Sequence, residues 1–347
     1  MSYAIGIDLG GTNIKYGLSD RLGNVLYDSI KPTYLPGKSV YDNILDIVGE
    51  LKTHAASKGF TPEGIGIGVP AIIDEGLVTA CTANLPELEG MPLGSRLAAQ
   101  SGMPVFVAND ANLMALGEWK FGAARNCTDA IFLTIGTGIG GAMLVNGNLY
   151  AGYRNRGAEL GHIIVEADGR SCGCGGKGCL EAYASMRALI DDYKSFLGKQ
   201  EKDRLEQEKD RLEQGKDRLE QGKDRLEHEK DRLEHEKDPL EKETVITGDL
   251  IISRYLENQP AAVQAMRRHF DYLAAGIAGL INIFSPQKLI IGGGISDTGD
   301  FYIQQIRERA MKRAMKETSL NTSVEVAQLG NKAGFLGAAA LVGQPFF

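Results

Sequence analysis

The chain has 347 residues, of which 43% are hydrophobic and 24% charged, with a formal net charge of -7 and five cysteines. That length supports one large or two ordinary domains with a full core, and the mixed charges exclude general disorder. The acidic balance excludes a basic nucleic-acid surface over the whole molecule. The longest apolar run, Leu273–Phe284, is too short to span a hydrocarbon layer of about 30 Å, so no membrane partner is expected. The N-terminus lacks a basic stretch followed by a long apolar one, so a cytoplasmic protein is expected.

Ala4–Leu9 is a short apolar run closed by Gly10 and Gly11, and Tyr16–Ser19 and Val25–Ser29 follow as a strand meander around the turn at 21–24. Residues 42–58 carry apolar side chains at helical spacing. Gly64–Val69 and Val105–Ala108 read as strands, and Ala111–Phe121 as a helix starting just after Asp110; the order, read as βββαβαβ, closes near residue 120. The pattern then restarts. Ala130–Ile135 is a strand, and Gly141–Val145 and Asn148–Ala151 flank Asn146-Gly147, a strong hairpin signal. A Cys/Gly-rich loop (171–179) precedes a helix from Glu181.

Residues 201–242 are six copies of one heptad, with 12 Lys+Arg against 16 Asp+Glu, so more than half of the net charge belongs to this block. Each heptad has one leucine, whereas a coiled-coil seam needs two apolar positions, and a single stripe drifts by about 20° per heptad. Gly215 and Gly222 weaken a helix, and Pro239 ends one. A solvated, partly helical protrusion is expected; a self-associating or partner-binding helix is the sharper alternative. Beyond it, Ala261–Phe284 reads as a long helix, Lys288–Ile291 as a buried strand, Asp300–Thr318 as a helix, and Gly334–Val342 as a last helix returning to the first half. The repeated pattern predicts an α/β protein of two related domains around a cleft. Residues 1–118 with 334–347 would form the smaller domain, and 119–333 the larger, carrying the Cys-rich loop (162–179) and the heptad insertion.

Three strands run into glycine loops: Asp8-Leu9-Gly10-Gly11-Thr12-Asn13-Ile14-Lys15, Gly136-Thr137-Gly138, and Gly292-Gly293-Gly294. Glycines let backbone N–H groups approach a phosphate, and a threonine hydroxyl adds a donor. Neither the P-loop nor the dinucleotide fingerprint is present. Cys172, Cys174 and Cys179, with His162 ten residues upstream, supply the donor set of a tetrahedral Cys₃His zinc site. Four protein ligands fill that shell, which makes the metal structural. Cys81 and Cys127 read as small buried apolar residues. Asp110, after Val107-Ala108-Asn109, is placed either as a helix cap or as a general base at a strand end.

Asp8-x-Gly-Gly-Thr, Asn109-Asp110, Glu159-Leu160-Gly161-His162 and CGCGGKGCLE (172–181), in this order, resemble the ROK family of sugar kinases and repressors, over about 1–200 and 244–347. The resemblance implies the actin-like ATPase (ribonuclease H-like) fold, ATP with Mg²⁺, and transfer of the γ-phosphate to the 6-hydroxyl of a hexose, most simply glucose. Asp110 matches the general base. Gly68, Asn84, Asn109, Glu159, His162 and Glu181 match sugar contacts, His162 meeting the sugar with the ring nitrogen that does not face zinc. Asp8, Gly10, Gly11, Thr12, Lys15, Thr137 and Gly138 match the phosphate and magnesium side, and Gly293 and Gly294 the adenosine side. A homodimer or homotetramer is implied. The heptad block is not a family feature, and the repressors' helix-turn-helix would have no room before Ala4. Another sugar specificity, such as an N-acetylhexosamine, and a sugar-sensing regulator without turnover are the competing readings.

Overall fold

The computed structural model describes residues 2–81, 85–216, 245–294 and 300–343. Asn84 and heptad residues 217–242 lie outside the described residues.

The first half is built on a sheet of five strands. Tyr3–Leu9 (β1) pairs antiparallel with Asn13–Asp20 (β2), and β2 with Val25–Pro32 (β3). Helix Val40–Ser57 (α1) follows, capped by Ser39, whose hydroxyl accepts the Asp42 N–H. Ile65–Val69 (β4) then pairs parallel with β1, and Val105–Asn109 (β7) parallel with β4, giving the order β3-β2-β1-β4-β7. A two-stranded ribbon, Ala71–Asp74 (β5) with Leu77–Cys81 (β6), and helix Leu93–Ser101 (α2) fill the connection. α2 is the helix that the order βββαβαβ requires between the fourth and fifth strands.

The second half repeats the plan. Asp110–Phe121 (α3) leads to Ala130–Ile135 (β8), which pairs antiparallel with Ile139–Val145 (β9), and β9 with Asn148–Leu149 (β10). Asn146 (φ 51°) and Gly147 (φ 72°) are both left-handed, as a type I′ hairpin turn requires. Glu181–Ala184 (α4), Met186–Lys216 (α5), Gly248–Leu256 (α6) and Pro260–Phe284 (α7) form the helical layer. Lys288–Gly293 (β11) enters parallel to β8, and Ser323–Val326 (β12) parallel to β11, giving β10-β9-β8-β11-β12. The helix expected over 300–318 is two: Asp300–Arg313 (α8) and Lys316–Ser319 (α9). Met315 between them is extended, and Asn282 Oδ1 accepts its N–H at 2.8 Å. α5 carries the first heptads out as a helix through Gly215, with Leu205 46% exposed, in keeping with a solvated protrusion. Among the described residues no helix is long and apolar enough to cross a membrane.

Each sheet buries one face under its own helices: Ile44, Ile47 and Leu51 of α1 in the first half, and Phe270, Leu273 and Ile277 of α7 in the second. A third cluster lies between the sheets and joins Leu113 and Leu116 of α3, Phe132, Leu144 and Ile290 of the second sheet, and Ala338 and Leu341 of the last helix, Ala333–Leu341 (α10). α10 packs on α3, β1 and β4 with its backbone almost touching theirs. A Cβ on Gly337 would lie 1.7 Å from the Leu113 carbonyl oxygen, and one on Gly66 1.7 Å from that of Ala338. Only the hydrogen side chain allows that crossing.

Gly337→Ala should therefore destabilise by about 3 kcal/mol or more in urea unfolding, because backbone, not a flexible side chain, must yield. Gly49→Ala, in the exposed interior of α1 with nothing within 4 Å of its added carbon, should instead gain about 0.5–1 kcal/mol.

Candidate active site and metal centre

The ends of β1 and β7 bring two carboxylates together. Asp8 lies next to last in β1, paired in register with Gly68 of β4 on one side and Lys15 of β2 on the other. Asp110 is the first residue of α3, directly after β7. The helix cap is Asn109: its side-chain oxygen accepts from the N–H groups of Ala111 (3.0 Å) and Asn112 (3.2 Å), and its amide donates to the Ala71 carbonyl at 3.3 Å. Of the two roles read for Asp110, the cap belongs to its neighbour. Asp110 keeps one oxygen on the Ala111 N–H at 2.9 Å.

Both acids sit where water is scarce. Burial pushes the Asp8 carboxyl up from 3.8 to about 6 against the opposing pull of Lys15. Burial first, then the charge of Asp8 and more weakly that of Glu159, push Asp110 up to about 7, against two backbone N–H groups that favour its charged form. Gly68 flanks Asp110, its missing side chain leaving room for the Asp110 backbone. Gly10 turns the chain between β1 and β2, its N–H donating to the Asn13 carbonyl and its own carbonyl accepting from the Thr33 hydroxyl; Gly11 and Thr12 form the tip, Thr12 exposed.

The second sheet supplies the facing loops. Gly136, Thr137 and Gly138 turn β8 into β9, with the Gly136 N–H donating to the Gly138 carbonyl at 2.9 Å. Gly140 of β9 packs against the Ala111 side chain, so this loop lies beside the start of α3. Gly293, at φ +95°, ends β11 in register with Ile135, and Gly294 follows, exposed. Glu181 opens α4 with one carboxylate oxygen accepting the Ile139 N–H at 2.8 Å and the other 3.7 Å from Cys172 Sγ. It ties the β8–β9 loop to the cysteine loop.

His162, Cys172, Cys174 and Cys179 place their donor atoms within 4.8 Å of one another. Cys172 Sγ is 3.6 Å from His162 Nδ1, and Cys174 Sγ is 3.7 Å from Cys179 Sγ. A tetrahedral zinc with Zn–S of about 2.3 Å and Zn–N of about 2.0 Å has S···S edges of about 3.8 Å and S···N edges of about 3.5 Å. A disulfide needs about 2.05 Å, so these two contacts match the edges of such a tetrahedron and not a disulfide. Burial raises the Cys172 thiol and pushes Cys179 up to about 12, so a cation at the centre is what would hold these sulfurs as thiolates. Nδ1 faces the sulfur, leaving Nε2 of His162 on the other side of the ring. The loop is pre-shaped by the chain: Cys172 N–H donates to Gly176, Gly178 N–H to Arg170, and Leu180 N–H to Ile163. Arg170 in turn pairs with the buried Asp192 of α5.

Several contacts at this site fall on residues that motif reading passed over. Gly334, in the first turn of α10, lies against the Asp8 carboxylate, where a Cβ would be 2.4 Å from Cγ. Asn331, just before α10, accepts from Lys15 Nζ at 2.9 Å. Buried Glu118 of α3 accepts the N–H groups of Ala123 (2.8 Å), Gln328 (3.1 Å) and Leu329 (2.8 Å), pinning the approach to α10 onto α3. The loop before Glu159 holds Arg154 (φ 53°), Asn155 (φ 57°) and Ala158 (φ 61°) in the left-handed region, a cost of order 1 kcal/mol or more each. The sequence signal for that loop was present in Gly152 and Gly157, which bracket it.

A family model described as "ROK family" matches residues 4–345. A glucokinase of Streptomyces coelicolor is 33% identical over 99% of each chain. A xylose repressor of Caldicellulosiruptor bescii is 29% identical over 97% of this chain and 77% of its own length. Among solved structures, a ROK family glucokinase from Streptomyces griseus in complex with glucose and AMPPNP superposes with a TM-score of 0.75, at 32% identity over 98% of this chain and 99% of that one.

The raised carboxyls carry a stability cost with a defined sign. Asp110 titrates near 3.8 when unfolded and about 7 when folded, so the fold is favoured below about 4 and progressively loses that advantage as pH rises to about 7. Asp110→Asn should therefore raise Tm at pH 8, by ~2–4 °C, and by less than half as much at pH 5, in thermal melts of the ligand-free protein. An equal shift at both values would remove the electrostatic account.

Proposed function

The chain belongs to the ROK family and has its actin-like ATPase fold of two α/β domains, and from that premise we propose that it transfers the γ-phosphoryl group of ATP to the 6-hydroxyl of a hexose, with glucose preferred. The observation that carries the proposal is Asp110: a carboxylate raised to about 7, at the start of α3, facing Asp8 between the glycine loops of both sheets. Phosphoryl transfer asks the protein mainly for positioning and charge neutralisation. A base that titrates near neutrality is matched to take the hydroxyl proton as the bond to phosphorus forms. Glycine turns 10–12 and 136–138 would receive the phosphates, Gly293 and Gly294 the adenosine, and Asp8 magnesium through water, Lys15 balancing its charge. Magnesium, when bound, supplies positive charge to the β- and γ-phosphate oxygens. Gly68, Asn109, Glu159, His162 and Glu181 would line the sugar side, with Asn84 assigned there by motif alone.

Zinc in the Cys₃His cage would be structural. It would hold His162 by Nδ1 and leave Nε2 to a sugar hydroxyl, while Glu181 spans cage and phosphate loop. The domain division we propose is 1–118 with 334–347, and 119–333.

A coupled assay with glucose, mannose, N-acetylglucosamine and N-acetylmannosamine should give turnover, highest kcat/KM on glucose, and an acid limb in kcat/KM rising through about pH 7. Asp110→Asn should lower kcat by about 10²-fold or more with glucose Kd little changed; retained turnover would overturn the base assignment. Sugar binding without turnover on any hexose would instead favour a regulator, the reading that the similarity to a xylose repressor supports.

Purified protein should contain about one zinc per chain. Cys172→Ser should lose the metal, lower Tm and raise the glucose KM more than the ATP KM. A metal-free protein of unchanged Tm would remove the cage from the mechanism.

A further inference from the structure

We infer that the outer edge of β5 is a strut that sets the width of the sugar side of the cleft, with Asn155 as the positioning residue that holds Glu159 toward Asp110. The inference rests on the hexose-kinase reading of this site and adds a residue to it.

β5 pairs along one edge with β6, and on that side the Ile72 carbonyl accepts from the Thr79 hydroxyl at 3.1 Å. Carbonyls two residues apart in a strand point the same way, so those of Ala71 and Ile73 share the other edge. Each is taken by a side-chain amide. Ala71 accepts from Asn109, the cap beside Asp110, at 3.3 Å; Ile73 accepts from Asn155 Nδ2 at 3.0 Å. Asp74 adds an ion pair with Arg154 at 3.0 Å. One four-residue strand of the first half thus grips the base's own neighbour at one end and the loop before Glu159 at the other.

The loop needs such a hold. Three of its non-glycine residues, Arg154, Asn155 and Ala158, are in a conformation that side chains avoid unless the surroundings impose it. Gly157 donates to the Ala151 carbonyl at 2.7 Å and abuts Gly152, so 151–157 closes on itself. That closed segment ends two residues before Glu159, so its hold on β5 fixes where the chain enters Glu159, whose charge acts on Asp110. The Arg154 side chain is 56% exposed, so salt screens the ion pair and the amide bond is the main tie.

Asn155→Asp keeps the size and the tolerance for the left-handed backbone but replaces the donor with an oxygen facing the Ile73 carbonyl. Asn155→Gly removes the amide and also the strain. Steady-state kinetics should show Asn155→Asp raising the glucose KM about tenfold with the ATP KM within about twofold, Asn155→Gly raising the glucose KM less, and Arg154→Ala less again. Calorimetry with glucose alone should show the same order in Kd. An unchanged glucose KM in Asn155→Asp, or equal rises in both KM values, overturns the strut. Wild-type protein measured alongside separates the two readings: if it neither binds nor phosphorylates glucose, the hexose-kinase reading fails. If it does both and Asn155→Asp matches it, only the strut fails.

Discussion

Two carboxylates held together at the dry junction of two sheets are the constraint around which the rest of the molecule is arranged. Burial raises the cost of ionising both Asp8 and Asp110, and the charge of Asp8 raises that of Asp110 further. Such a pair survives only if the surrounding backbone cannot relax away from it. Here the relaxation routes are closed. α10 presses Gly334 onto Asp8, crosses α3 and the first sheet at backbone contact, and is tied back by Glu118 through its own lead-in segment. The apolar cluster that α3 and α10 share with the second sheet stabilises what the carboxylates destabilise.

The two halves share a strand order but not a chemistry. The first contributes the acids and the β5 edge. The second contributes the β8–β9 and β11 glycine turns and the cysteine cage. Glu181 spans the β8–β9 turn and the cysteine loop, one oxygen on Ile139 N–H and one near Cys172. In the proposed reaction this makes the metal loop part of the wall opposite Asp110. The loop's shape is set by the chain itself, because Arg170 is anchored to Asp192 and its N–H donates to the Tyr183 hydroxyl, with Tyr183 stacked on Tyr272 at 4.2 Å. A cation would add definition to the four donors within a frame already set.

What could be read ahead of the structure follows from signal length and chemistry. Asn146-Gly147, the cysteine spacing and Asp110 at a strand end each have a local physical cause, so each is legible from a few residues. The β5–β6 ribbon is not: four and five residues, with Glu75 and Gly76 at the turn, give no periodicity to count. β12 is a four-residue edge strand recognisable only by its pairing with β11. α2 begins at Leu93, after Pro92 and without a side-chain cap, and is nine residues long. The break at Met315 is set by Asn282, a residue 33 positions away. Site contacts were hidden for the same reason. Gly334, Asn331 and Glu118 act across long sequence separations, and the hold of the Asn109 amide on the Ala71 carbonyl spans 38 residues.

The heptad block begins on a part of α5 that is clear of these constraints. The inward work of α5 ends early: Asp192 meets Arg170 and Arg268, and Tyr193 is buried. From Glu201 to Glu206 every residue is exposed. At 1.5 Å per residue, Lys216 stands about 36 Å beyond Asp192 along the helix axis. The charges along this stretch fall into helix-compatible pairs, as with Arg204 and Glu201 at 3.0 Å. Insertion there lengthens a connection whose closure entropy grows only with the logarithm of its length. Among the described residues, 201–207 are exposed on this helix, away from the strand ends and glycine turns. A sequence with 42 repetitive residues in its middle can therefore keep the arrangement described around Asp110, because the first of them extend α5 where that helix is exposed.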